Sequence, residues 1–154
     1  MANRILINIM FLLDDQIGFN LNRLALLFRR ELIRSLKDFQ LSPEQWQVLA
    51  MLWQKGTLSQ KQIIELTLQD APSASKMIRR MKQAGLIQIE VSKLDKRSTL
   101  ISLSAKGKSL EKVLPKKILL HFDPILSAMP EKNRKTFLIL LKQFRMVFGD
   151  EIKS

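Results

Sequence analysis

Four cations and no acid fall between Ser73 and Gln83: Lys76, Arg79, Arg80 and Lys82. In the same stretch Ala74, Met77, Ile78 and Met81 recur at the i, i+3, i+4, i+7 spacing of one buried helical face. A helix that turns those four inward projects Ser73, Ser75, Lys76, Arg79 and Arg80 from its other faces. The major groove of DNA admits one such helix, whose first turns meet the base edges. Arg and Lys suit guanine acceptors and Ser is permissive, so Ser75, Lys76 and Arg79 are the candidates for base reading. Arg80 and Ser73 are the candidates for phosphate. Taken alone, these residues fit a solvated cationic face equally well.

A second cationic group, Lys93, Asp95, Lys96 and Arg97, crowds between two alternating runs, Leu86–Val91 and Ser98–Leu103. Lys96 and Arg97 are candidates for DNA contact, and a guanidinium such as that of Arg97 on the tip of a hairpin can enter a narrow minor groove, where negative potential is concentrated. The Asp95 carboxylate can orient that guanidinium, or an Arg elsewhere, by a charge-assisted hydrogen bond. From spacing alone an ordinary polar turn is the plainer reading.

The elements that must carry these residues announce themselves by their ends. Asp70 caps the basic helix, Pro72 is tolerated in its first turn, and Gly85 stops it. Ser59-x-x-Gln62 opens a preceding helix whose core face is Ile63, Ile64 and Leu66. Upstream, Ser42-Pro43-Glu44-Gln45 starts a helix that runs to about Gln54 and ends at Gly56. Its face carries Trp46, Leu49, Ala50 and Trp53, a pair of aromatics that either packs as core or lines a pocket for a flat hydrophobic ligand. Capped helix, turn, basic helix and hairpin, in that order, make a winged helix-turn-helix. In that context the DNA reading outweighs the solvated face.

Flanking segments look built for packing. From about Gln16 to Phe39 one apolar stripe comprises Ile17, Leu21, Leu24, Phe28, Leu32, Leu36 and Phe39. Phe19, Leu26, Leu27 and Ile33 lie off it, so this helix needs two partners, its own domain and a second subunit. Ser104 caps a later stretch that Pro115 should kink or break near Leu114, Pro124 and Pro130 are expected to mark a turn, and Glu131–Phe148 reads as a closing amphipathic helix. The run Ile5–Leu13 is too short to span a bilayer and lacks a cleavage site, which makes it a packing or dimerisation segment. The expected fold is mainly α with a small β-hairpin wing, one integrated domain. Residues 1–40 and 105–154 supply dimerisation helices around a DNA-binding region at 41–104.

Composition narrows the function. The 154 residues carry a net charge of +12, and 14 Lys or Arg against 5 Asp or Glu lie between Lys55 and Lys117. Clustering on the reading unit points to a polyanionic partner rather than to general solubility. With 46% apolar residues the chain is no disordered polycation. It has no cysteine, which excludes disulfides, thiolate metal sites and thiol redox sensing and suits the cytoplasm. His121 is the only histidine, poor material for a metal site or a Ser/His/Asp triad, and reads as structural. With no Gly-rich phosphate loop either, neither an enzyme nor a cofactor is expected.

Taken together, Leu41-Ser-Pro-Glu-Gln-Trp-Gln-Val-Leu, Leu58-Ser-Gln-Lys-Gln-Ile, Arg80-Met-Lys-Gln-Ala-Gly-Leu-Ile, Asp95-Lys-Arg-Ser and Leu103-Ser-Ala-Lys-Gly resemble the MarR family of bacterial transcriptional regulators, over roughly residues 16–148. The resemblance implies a homodimer held by its terminal helices that binds a palindromic operator in double-stranded DNA, usually as a repressor released by a small aromatic or phenolic effector. It puts Ser73, Ser75, Lys76, Arg79 and Arg80 on the recognition helix, makes Arg97 the wing's minor-groove residue and Asp95 its brace. The chain departs from the family pattern at Ile89, where Arg is common, and at Pro115, where the family helix runs unbroken. A cytoplasmic, nucleoid-associated regulator is the expectation, with no membrane partner. A winged-helix module that contacts acidic protein, or a basic protein docking on anionic membrane through Ile5–Leu13, are the rival expectations.

Overall fold

A computed structural model describes residues 12–93 and 98–150 of the chain. Its elements are α1 (Ile17–Leu36), α2 (Pro43–Lys55), β1 (Leu58–Ser59), α3 (Gln60–Thr67), α4 (Ala71–Gln83), β2 (Ile87–Val91), β3 (Thr99–Leu103), α5 (Ala105–Ser109), α6 (Leu114–Ser127) and α7 (Glu131–Val147). The architecture is mainly helical with a small antiparallel sheet, as expected.

Local signals set most boundaries. Ser42 and Gln45 exchange backbone and side-chain hydrogen bonds at the start of α2, and Ser59 and Gln62 do the same at the start of α3. Each box satisfies two donors that a helix start otherwise leaves unpaired. Gly56 and Gly85 adopt positive φ of 81° and 71°, which a side chain would resist, and so end α2 and follow α4. Strand β1 has no counterpart in the sequence reading. It is two residues long and pairs Leu58 with Ile101 and Ser59 with Leu100, giving the sheet order β1-β3-β2.

Two apolar clusters lie side by side. The larger unites Leu49 and Leu52 of α2, Ile63 of α3, Ile78 and Met81 of α4, and Ile87 and Ile101 of the sheet. The smaller joins Leu36 of α1 to Leu114, Ile118 and Phe122 of α6. Leu41 and Trp53 pack against both. Phe28 stacks on Phe122 with ring centroids 5.5 Å apart, and Lys117 of α6 pairs with Asp38 just beyond α1.

Pro115 breaks the helix as expected: α5 ends at Ser109, a single 3-10 turn spans Leu110–Lys112, and α6 restarts with Pro115 in its first turn, where no N–H is needed. Pro124 does not mark a turn. Helix α6 runs through it to Ser127, and only Pro130 stands at the turn before α7. The ring removes one hydrogen bond to the Leu120 carbonyl, but burial of Ile118 and Phe122 already holds the helix on α1, and only its last turn lies beyond the proline. Among the described residues, no helix is long and apolar enough to cross a membrane.

The end of the sheet locks onto the end of α4. Ser104 caps α5 and donates its hydroxyl to the Gly85 carbonyl at 2.6 Å, while Lys106 Nζ reaches the Ala84 carbonyl at 2.8 Å. Gly107 sits so close that a Cβ there would lie 2.1 Å from the Leu86 carbonyl oxygen. Its own carbonyl accepts from the Trp53 indole at 3.0 Å. Gly107→Ala should therefore destabilise by about 1–3 kcal/mol or more, since the obstacle is backbone. Gly18→Ala, with nothing within 4 Å of its added carbon, should be neutral or stabilising by up to about 1 kcal/mol. Denaturant midpoints of the two variants check the opposite signs, and equal midpoints would contradict the junction.

Candidate nucleic-acid interface

Helix α4 is held by its back. Ala74 and Met81 are completely buried, and Met77 and Ile78 nearly so, which turns Lys76, Arg79 and Arg80 to the exposed side. At its start the Ser73 backbone N–H donates to Asp70 Oδ1 and the Ser73 hydroxyl to Oδ2, both at 2.8 Å. The Ser73 backbone N–H and then its hydroxyl hold the Asp70 carboxyl below its usual range against a smaller opposing effect of desolvation, with lesser help from its own backbone N–H and the Lys76 charge. An ionised cap also suits the positive end of a helix.

The five residues singled out on this helix divide into two kinds. Lys76, Arg79 and Arg80 project into solvent. Ser73 is exposed but spends its hydroxyl proton on Asp70, and Ser75 is half-buried, its Oγ accepting from Gln60 Nε2 at 2.7 Å. Gln60, the first residue of α3, escaped the sequence reading. Its partner is 15 residues away, so no local spacing exposes it; only the packing of α3 on α4 brings the two together.

Beside α4, Arg29, Leu41, Glu44, Gln69, Lys76 and Arg80 line an open cleft of about 730 Å³ between α1, the start of α2 and α4. Arg29 donates to Glu44 Oε1 at 2.5 Å across its wall. Burial pushes the Glu44 carboxyl up, but the Arg29 hydrogen bond and the backbone at the start of α2 more than reverse this and hold it low.

The wing is a hairpin of β2 on β3 in register from Ile87 opposite Leu103 to Val91 opposite Thr99, with the Ser92 N–H donating to the Ser98 carbonyl at 2.8 Å. Lys93 is exposed at its end; Asp95, Lys96 and Arg97 lie outside the described residues, as does the run Ile5–Leu13 up to residue 11. Trp46 and Trp53 meet edge to face at 5.7 Å and, partly buried, pack against the margin of the core clusters. His121 lies 3.2 Å from Glu31 Oε2, joining α6 to α1. Among the described residues, no group of three His, Cys, Asp or Glu is placed to hold a metal ion.

Comparison with known proteins places this arrangement. A model of the MarR family matches residues 39–98. The organic hydroperoxide resistance transcriptional regulator of Bacillus subtilis is 31% identical over 99 residues, 64% of this chain and 67% of its own length. The uncharacterized HTH-type transcriptional regulator YwoH of the same organism is 26% identical over 124 residues, 80% of this chain and 90% of its own. The solved structure of the transcriptional repressor CouR bound to a 23-mer DNA duplex superposes with a TM-score of 0.79 at 25% identity, covering 86% of this chain and 94% of that one.

The Asp70 cap carries a pH signature. A carboxyl held below its unfolded value of 3.8 adds stability that is complete well above that value and is lost as pH falls through the folded one. Asp70→Asn keeps a capping side chain without the titration. Wild type should be the more stable of the two by a constant margin above about pH 5 and lose that margin in more acidic solution. Denaturant midpoints across pH measure it; a margin that does not change with pH would contradict the assignment.

Proposed function

The chain belongs to the MarR family of DNA-binding transcriptional regulators, and on that premise we propose that it is a homodimeric repressor that binds a palindromic operator and is released by a small ligand. The observation that carries this reading is the capped helix α4, whose buried back turns Lys76, Arg79 and Arg80 outward in a stretch without a single acid. Ser75, Lys76 and Arg79 read base edges, while Arg80 holds phosphate; Ser73, expected there too, has given both its N–H and its hydroxyl proton to Asp70 and must release the hydroxyl before it can meet a phosphate. From the wing, Arg97, braced by Asp95, enters the minor groove and Lys96 meets the backbone beside it.

Dimerisation answers two needs at once. One recognition helix reads only a few base pairs, so useful specificity takes two copies at a spacing set by two-fold symmetry. Helix α7 has no buried residue, and Leu119 and Leu120 of α6 are 69% and 65% exposed. With Leu26, Leu27 and Ile33 of α1 also exposed, three helices leave large apolar side chains in the open, which supports a second copy as their cover. The division of labour is then residues 41–104 for DNA and residues 1–40 and 105–154 for the dimer, within one integrated domain working in the cytoplasm on the nucleoid.

The cleft between α1 and α4 is the candidate seat for the small aromatic or phenolic effector that the family resemblance implies, since a molecule lodged there touches Lys76 and Arg80 and keeps the one from its base and the other from phosphate. Thiol oxidation is not the signal, because these 154 residues contain no cysteine.

On a duplex selected by the wild-type protein, Arg79→Ala should cost about 1–3 kcal/mol at that site and much less on bulk DNA. Arg80→Ala should weaken both alike and lower the salt slope by about one. The reverse pattern in anisotropy titrations would contradict the division of roles. Placing Glu at both Leu120 and Leu140 should convert the dimer to a monomer in sedimentation and abolish tight binding; a dimer that survives both charges would contradict the interface.

A further inference from the structure

We infer that the reading unit, α2 to α5, pivots as a body on the frame formed by α1 and α6, and that Pro115 keeps this pivot free. In the proposed dimer the two α4 helices then adjust to the spacing of their half-sites, where a rigid dimer would dictate it. The inference rests on the proposed dimer and its symmetric operator.

Each body is fastened internally. Phe28 stacks on Phe122, Lys117 pairs with Asp38 and His121 with Glu31, all joining α6 to α1 and the turn that follows it. Within the reading unit Trp53 donates to Gly107, Ser104 to Gly85 and Lys106 to Ala84. The chain crosses between the bodies twice, and each crossing contains one 3-10 turn: Lys37–Phe39, followed by Gln40 at φ 54°, and Leu110–Lys112. A short 3-10 stretch where a helix would otherwise run on is a common hinge. The second turn lies at the boundary itself, since Leu110 packs on the larger cluster and Leu114 is buried in the smaller.

Where the bodies meet, Leu41, Trp46 and Trp53 pack against the smaller cluster, with open space to either side. On one side is the cleft of about 730 Å³ between α1 and α4. On the other, Met51, Leu68 and Phe148 line a groove of about 560 Å³ between α2, α3 and the end of α7. Close packing is what makes an interior resist motion, so a narrow contact flanked by two clefts permits rotation about itself. The Arg29–Glu44 pair also spans the bodies, with its guanidinium open to solvent, where such pairs contribute little. Pro115 maintains the break. It has no N–H to give the Glu111 carbonyl, and its ring obstructs the turn before it, so α5 and α6 do not merge. Alanine at that position restores the missing donor and lets a continuous helix couple the two bodies.

The chain has no cysteine, so Lys82→Cys at the exposed end of α4 carries one spin label per copy. Dipolar distances between the two labels, measured without DNA, test the pivot, with thermal melts confirming that each variant is folded. The distribution should spread over more than the about 3.4 Å that one base pair adds to a spacing, and adding Pro115→Ala should narrow it. On duplexes whose inverted repeat is lengthened by one base pair, the variant with proline intact should lose less affinity. Pro115→Ala should lose about tenfold more, or about 1.4 kcal/mol. A distribution as wide with alanine as with proline would overturn the inference, as would equal losses on the lengthened repeat. If the labels show no dipolar coupling and the protein sediments as a monomer, the dimer itself falls, and this inference with it.

Discussion

What the basic face of this protein presents to a partner depends on the rotation of α4 about its own axis. Ala74, Met77, Ile78 and Met81 bury a stripe against α2, α3 and the sheet. Successive residues on a helix are separated by about 100°, so a slip of one position would drive Lys76 or Arg79 toward the core. An unpaired cation there costs far more than the packing it would replace. Apolar pattern and charge pattern are thus two consequences of one constraint. The ends reinforce it: Asp70 fixes the first turn, and Ser104 and Lys106 satisfy the carbonyls where the chain leaves the helix.

The remaining helices connect to that reading unit through few contacts, most of them at α2. Leu41 and Trp53 belong to the margins of both clusters, and Trp53 also donates across to Gly107. Arg29 ties α1 to the first turn of α2 through Glu44, and Lys117 ties α6 to Asp38. Helix α2 in turn shares the larger cluster with α3 and α4. The cleft lies beside these contacts, with one wall on α1 and the other on α4.

Much of this was legible in the sequence because its signals are local. The two capping boxes, the Asp70 cap, the four-residue stripe of α4 and the break at Pro115 each need fewer than ten residues to be recognised, and each occurs where expected. What was missed depends on distant partners. Strand β1 is two residues with no periodicity, a strand only because β3 lies beside it. Pro124 reads as a breaker in isolation, yet Phe122 and Phe28 hold its helix together across the fold. Gln60 looks like one polar residue among several until α3 packs on α4 and brings it to Ser75. The exposed apolar faces of α1, α6 and α7 show the converse: an excess visible in the sequence that the single chain leaves uncovered.

The central claim is that two copies of this chain present two α4 helices to one symmetric site. Selection of binding sites from random duplex at near-physiological salt, with the mass of the selected complex recorded alongside, tests it most directly. An inverted repeat with half-sites about one helical turn apart, bound by two copies, is the predicted result. A single copy on the DNA, or binding without sequence preference that vanishes as salt rises, would contradict it and leave only the attraction of a basic protein for a polyanion.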